Sequence, residues 1–339
     1  MTHLIFLIAW LFSIPALNNR KVPFYLFTFW ILLLFLALRY GYGTDYWSYY
    51  SYHQHVHIGP EPFWEQKEIL YRYLNVLVSN FHWLVAIISV FYIFTIYRLI
   101  KKNLEVKYYW LAMLMLLINP YLFLTHLSSL RQTIAICFVI LAIGFAVKRK
   151  LLRFIIFIIV AAGFHQSAIM LLPVYFLLSD KKISKKGFIA IYGSLAILLV
   201  TPLFDTILNL TIDYFPRYRY YVDNSLQNSL RSTLFTSFFF FLVCFNINKL
   251  KGKEIVFGKL ALISTFIAIL TIKFNMLGRL VMYFDIFLII AIPLILSRLK
   301  HTASKQMAFI VVITIYLLRY ASFFVNSWGY DIYKTILNM

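Results

Sequence analysis

Phe164-His165-Gln166-Ser167-Ala168 sets a single imidazole in an otherwise apolar run. Ionisable groups in such surroundings are costly, so functional use is the default hypothesis. An imidazole can take a proton from a hydroxyl near neutral pH. The bland alternative is a hydrogen-bonded structural histidine. Ser128-Ser129-Leu130-Arg131-Gln132-Thr133 reads as the opening of a helix, with Ser128 or Ser129 as N-cap. Free amides and the macrodipole at a helix start favour an anion. An arginine there adds a planar fork suited to phosphate. A surface salt bridge is the plainer reading of Arg131.

Three further stretches could bind a ligand. In Arg39-Tyr40-Gly41-Tyr42-Gly43-Thr44-Asp45-Tyr46-Trp47, aromatic rings could stack on pyranose faces while Arg39 and Asp45 grip hydroxyls. An aromatic belt at a membrane interface would look the same. Pro216-Arg217-Tyr218-Arg219-Tyr220-Tyr221 interleaves two arginines with tyrosines, which suits an anionic glycolipid or merely a solvated loop. Asn275-Met276-Leu277-Gly278-Arg279 leads into a run in which Arg279 and Tyr283 share a helical face. Asp285 follows inside that run and needs a basic or hydroxyl partner.

Other combinations point to less. His53, His55 and His57 alternate as on one face of a strand, but no fourth ligand accompanies them. Glu61, Glu65 and Glu68 fit a solvated amphipathic helix, with Glu68 and Arg72 as an i,i+4 pair. No Asp-x-Asp motif, Walker loop or Gly-x-Ser-x-Gly elbow occurs, and no internal repeat is visible. Cys137 and Cys244 both fall in apolar runs, against a disulfide framework or cysteine metal site.

The elements that must position these groups are membrane helices. Of 339 residues, 62% are hydrophobic and only 13% charged, with mean hydropathy +0.81. Apolar runs of roughly 15 to 20 residues between short charged connectors read as spans. Backbone at that depth must satisfy its own hydrogen bonds, so the expected fold is a helical bundle. The runs 4–17, 23–38, 83–100, 107–125, 132–147, 151–163, 168–179, 187–204, 234–248, 255–272, 279–297 and 306–323 give about twelve transmembrane or half-membrane helices in one integral-membrane domain, 1–339. The net charge of +20 sits in the connectors between them, which argues for membrane topology and against nucleic acid.

Leu4–Leu17 is followed, not preceded, by Arg20 and Lys21, so it reads as a retained first span with its N-terminus outside. That choice puts 21 of the 32 Lys and Arg residues inside, 16 of them Lys, and 11 outside, 8 of them Arg. The longer outer segments are 39–82 and 205–233, and Glu65–Asn80 could form an amphipathic or re-entrant helix. Only about 30 residues separate the basic clusters ending at Lys150 and starting at Lys181. Keeping both clusters inside requires a hairpin that turns at Phe164–Ser167. Each limb then covers about 20 Å of a roughly 30 Å core and recesses His165 in a protein-lined cavity.

Taken in order, Arg39…Gly43-Thr44-Asp45-Tyr46…Tyr49, Arg131-Gln132-x-x-Ala135, Phe164-His165-x-Ser167-Ala168 and Arg279-x-x-x-Tyr283 resemble the EpsG family of Wzy-type polysaccharide polymerases. The resemblance runs from the second apolar run to about Leu296. It implies a bacterial cytoplasmic-membrane enzyme on a GT-C-like bundle with an outward-facing cavity, elongating glycan carried on undecaprenyl diphosphate. The expected partners are that lipid-linked oligosaccharide, the bilayer, and a flippase and chain-length regulator of the same pathway. His165, Arg131 and Arg279 are the expected catalytic residues: His165 as base, the arginines on the diphosphate. Arg39, Asp45, Tyr46, Gln132, Arg217, Arg219 and Tyr283 are the expected substrate-binding residues. Arginines can serve a diphosphate leaving group as a metal does, so no cofactor is required. A flippase for lipid-linked oligosaccharide and an O-antigen-type ligase are the alternatives.

Overall fold

Apolar runs interrupted by charged or glycine-bearing connectors fold here as helices. The computed structural model describes residues 1–14, 22–58, 68–179, 184–214, 230–325, 329–330 and 332–338. The chain, expected to be one domain, divides into two compact units, Met1–Phe176 with His301–Met339, and Leu177–Lys300.

The first unit opens with α1 (Thr2–Ser13) and α2 (Val22–Ala37), followed by the two-residue strand β1 (Arg39–Tyr40). Next come α3 (Tyr46–Ile58), α4 (Ile69–Leu77) and α5 (Phe81–Asn103). Asn80 caps α5 by accepting from the amides of His82 and Trp83, at 2.8 and 3.3 Å, and Lys101 and Lys102 close it where the dipole favours cations. Helices α6 (Tyr109–Leu117) and α7 (Pro120–Ser128) meet at a 79° bend, where Pro120 has no amide proton to continue the first helix. Helices α8 (Leu130–Val147) and α9 (Leu151–Phe164) form a hairpin through Arg149, which takes φ 56°.

After α9 the chain doubles back. His165 is extended, at φ −150° and ψ 112°, and a 3-10 turn over Gln166–Leu171 leads to the one-turn α10 (Val174–Leu177). The ring of Tyr175 lies 5.3 Å from that of Phe154, near the other end of α9. The stretch between the two basic clusters is therefore folded on itself, not one straight helix.

The second unit holds α11 (Lys185–Val200), α12 (Pro202–Tyr214), α13 (Leu230–Asn246), α14 (Glu254–Leu270), α15 (Gly278–Asp285) and α16 (Leu288–Arg298). Its core is aromatic, with Tyr192 stacked on Phe240 at 3.9 Å. Asp285 accepts a hydrogen bond from the Ser264 hydroxyl, which supplies the partner expected for an acid in an apolar run. The chain then returns to the first unit through α17 (Thr302–Val325) and β2 (Lys334–Thr335). Strand β2 pairs antiparallel with β1, Arg39 opposite Thr335, so the C-terminal tail closes over the end of α2.

Among the described residues, three helices (α5, α8 and α17) are long and apolar enough to cross a membrane alone. Six spans result if each of three bent pairs counts as one. Shorter apolar helices of 10–17 residues, α1 and α9 among them, occupy others of the twelve apolar runs, so length and composition alone do not establish a count of twelve spans. Helix α9, at 14 residues, extends about 21 Å against a core of about 30 Å.

Candidate active site

Glu68, immediately before α4, brings three of the chemistry-bearing positions together. Its Oε1 lies 2.6 Å from His165 Nδ1, and its Oε2 lies 2.5 Å from Arg131 Nη1. The amide of Gln166 adds a longer contact to Oε1 at 3.4 Å. The side chains of Glu68 and His165 are 12% and 13% exposed. Three breaks in regular structure create the cluster: the start of α4, the end of α9 and the start of α8. Helix α9 ends because His165 leaves the helical region after its amide bonds Ala161 O at 2.9 Å.

A carboxylate can only accept, so the 2.6 Å contact places the imidazole proton on Nδ1. Nε2 then carries the lone pair. That atom is buried and has no hydrogen-bond partner among the described residues. A histidine held at one nitrogen by a carboxylate, with the other free, is the base-and-orienter arrangement of acyl- and group-transfer enzymes. Burial alone would raise the Glu68 pKa. The hydrogen bond from His165 and the charge of Arg131 outweigh that, and hold the carboxyl below its usual range.

Arg131 links this cluster to a cavity of about 220 Å3 lined by Asp45, Ser48, Tyr49, Tyr52, Tyr71 and itself. Its guanidinium carbon lies 5.6 Å from the Tyr49 ring centre and 6.0 Å from that of Tyr71. Burial raises the pKa of both phenols, so they remain protonated.

The remaining positions expected from sequence are distributed differently. Arg39 is 2% exposed and donates to the carbonyls of Leu127 and Leu36, at 3.0 and 3.4 Å. It therefore braces the end of α2 against α7 instead of facing a ligand. Burial draws its pKa down to about 10. Tyr46 is buried in the cluster with Phe81, Leu84 and Ile134, and Gln132 is buried within the first turn of α8. Asp45 is exposed and lines the cavity. Ser128, read as a possible N-cap for an anion, instead accepts from the Thr44 amide at 2.9 Å and bonds the Tyr330 hydroxyl. Ser129 takes the N-cap position without a side-chain capping bond. Arg279 is exposed and Tyr283 buried on α15, in the second unit. Arg217 and Arg219 lie outside the described residues.

Two sequence readings are corrected. His53, His55 and His57 lie on α3, not on a strand, and His53 is buried with Nδ1 3.1 Å from Asn75 Oδ1. No group of three potential metal ligands occurs among the described residues. Of Glu61, Glu65 and Glu68, the first two lie outside the described residues, and Glu68 is not on a solvated face, because its two oxygens serve His165 and Arg131. Sequence reasoning missed it by pairing it with Arg72 along one helix. The available signal was scarcity: only 12 acidic residues occur in the chain, and this one follows a charged connector and precedes a tyrosine-rich helix.

Fold and site thus define a polytopic helical membrane protein with an imidazole–carboxylate pair beside a tyrosine-lined cavity. The chain belongs to the EpsG family, whose model matches residues 22–336. Membership makes it a Wzy-like polysaccharide polymerase by family. The match reaches past Leu296 to include α17 and most of the β2 tail, beyond the reach of the motifs. No curated protein and no solved structure matches the chain.

Proposed function

We propose that the protein elongates a polysaccharide by transferring the growing glycan from undecaprenyl diphosphate to a lipid-linked oligosaccharide repeat unit. The observation that carries this reading is the Glu68–His165 hydrogen bond, with the buried Nε2 left without a partner among the described residues, in a chain of this family. His165 Nε2 takes the proton of the acceptor hydroxyl. The oxygen attacks the anomeric carbon of the donor sugar, and the bond to diphosphate breaks with its electron pair on the leaving group. One displacement of this kind inverts the anomeric centre. Glu68 fixes the tautomer and stabilises the imidazolium that forms.

Arg131 supports this reaction through Glu68, because its Nη1 is committed to that carboxylate. The charge of the diphosphate falls to other arginines. Arg279, with Tyr283, and the pair Arg217 and Arg219 are the candidates carried over from the sequence pattern. A guanidinium fork suits a diphosphate leaving group without a metal. The lysine-rich connectors support an active site on the outer face of the bacterial cytoplasmic membrane, and the family resemblance supports a GT-C-like bundle with an outward-facing cavity.

Purified protein incubated with lipid-linked repeat units decides the class of activity. A ladder of lengthening glycans supports polymerisation. Transbilayer movement without a ladder would make the protein a flippase, and transfer only to a different acceptor would make it a ligase.

A further inference from the structure

Apart from Arg131, the lining of the cavity beside the Glu68–His165 pair is used by no step above. Asp45, Ser48, Tyr49 and Tyr52 recur at three- and four-residue spacing, so one face of α3 and the residue before it forms most of the wall. Tyr71 of α4 completes it, lying at 24° to the Tyr52 ring with centres 5.9 Å apart, and Arg131 closes one side. The surface is therefore aromatic faces, neutral hydroxyls, one carboxylate and the Arg131 guanidinium.

Charge decides what this lining suits. The Arg131 cation is matched by Glu68 at 2.5 Å, so Asp45 leaves one net negative charge among the lining residues and Glu68. A diphosphate or an acidic sugar would meet that charge at close range, with the one guanidinium already paired. A neutral pyranose meets complementary groups instead. Its C–H faces lie against tyrosine rings, and its hydroxyls donate to Asp45 and exchange hydrogen bonds with Ser48. Arg131 is both a wall of the cavity and the partner of Glu68, whose other oxygen holds His165, so the cavity and the base are linked through a single carboxylate.

We propose that this cavity is the subsite for an uncharged sugar ring of the acceptor repeat unit. The assignment to the acceptor rests on the polymerase reading. The assignment of a neutral sugar rests on the lining alone.

The test is saturation-transfer NMR on the detergent-solubilised full chain with neutral methyl hexopyranosides, methyl glucuronide and inorganic pyrophosphate as separate probes. At least one neutral pyranoside is expected to receive saturation. Tyr52→Ala should weaken that binding roughly tenfold, and Tyr52→Phe should restore it, which separates lost stacking from misfolding. Asp45→Asn should weaken the neutral sugar and improve the glucuronide. Absence of Tyr52-dependent binding by every neutral pyranoside overturns the proposal, as does stronger Tyr52-dependent binding of glucuronide or pyrophosphate by the unaltered protein. Tyr52-dependent sugar binding without a glycan ladder would leave the sugar site standing and remove the polymerase reading. A ladder without such binding would do the reverse.

Discussion

Gly163 lies against Leu70 so closely that a β-carbon there would stand 2.6 Å from Leu70 Cδ1 and 2.7 Å from its Cγ. Leu70 is two residues after Glu68, and Gly163 is two residues before His165. The missing side chain therefore sets the approach of α4 to α9 at the level where carboxylate and imidazole meet.

Gly163→Ala is expected to separate the pair without touching either group. Overpacking of this kind costs about 1–3 kcal/mol. The account predicts a lower melting temperature and slower polymerisation, both partly recovered by Leu70→Ala in the same chain. An alanine variant with unchanged activity would show that α4 can shift without disturbing the site.

Glu68→Gln should retain much of the shape of the cluster and lose its charge. A glutamine cannot stabilise an imidazolium, so glycan elongation should fall strongly while membrane levels hold. The folded carboxyl titrates below its ordinary value near 4.5, so the stability it contributes is complete above that value. It is lost as pH falls through the depressed folded value. The melting-temperature gap between the unaltered chain and Glu68→Gln should therefore narrow on acidification below about pH 4. A gap that widened with acid would contradict the pairing.

Arg131→Lys keeps the charge and loses the fork shared between Glu68 and the tyrosine rings. Glycan ladder length at matched protein levels should drop sharply. Because Arg131 is taken to act through Glu68, the double variant with Glu68→Gln should be little worse than the worse single variant. Fully additive losses would give Arg131 a separate role, as would be expected of a diphosphate clamp.

Orientation has its own test. Ser184→Cys places a thiol at the start of α11, in the basic connector assigned to the inner side. The native thiols Cys137 and Cys244 are buried, so background labelling should be low. Intact cells should protect the new thiol from a membrane-impermeant reagent, and lysed cells should not. Labelling in intact cells would place the connector outside.

The helical class and the turn at His165 were legible because hydropathy and basic clusters act over short stretches. The helix breaks were less so. The bend between α6 and α7 falls inside an apolar run, where composition does not change but Pro120 removes an amide. Glu68 was illegible for a different reason. Its partners lie 63 and 97 positions away, and local spacing offered Arg72 as a simpler match. Arg39 shows the converse: a motif that suggested ligand binding belongs to a buried brace held by backbone carbonyls. Asp45 of the same motif lines the cavity, because α3 starts beside it and turns its next residues into one face.

The central claim is that His165 Nε2 accepts the proton of the attacking hydroxyl. Single-turnover elongation of lipid-linked repeat units by purified protein measures it most directly, comparing the unaltered chain with His165→Ala at equal folding and equal binding of substrate. A general base contributes about 10²–10⁴-fold in rate, and the account predicts a loss of that order with substrate binding retained. Elongation by His165→Ala at the rate of the unaltered chain would contradict it.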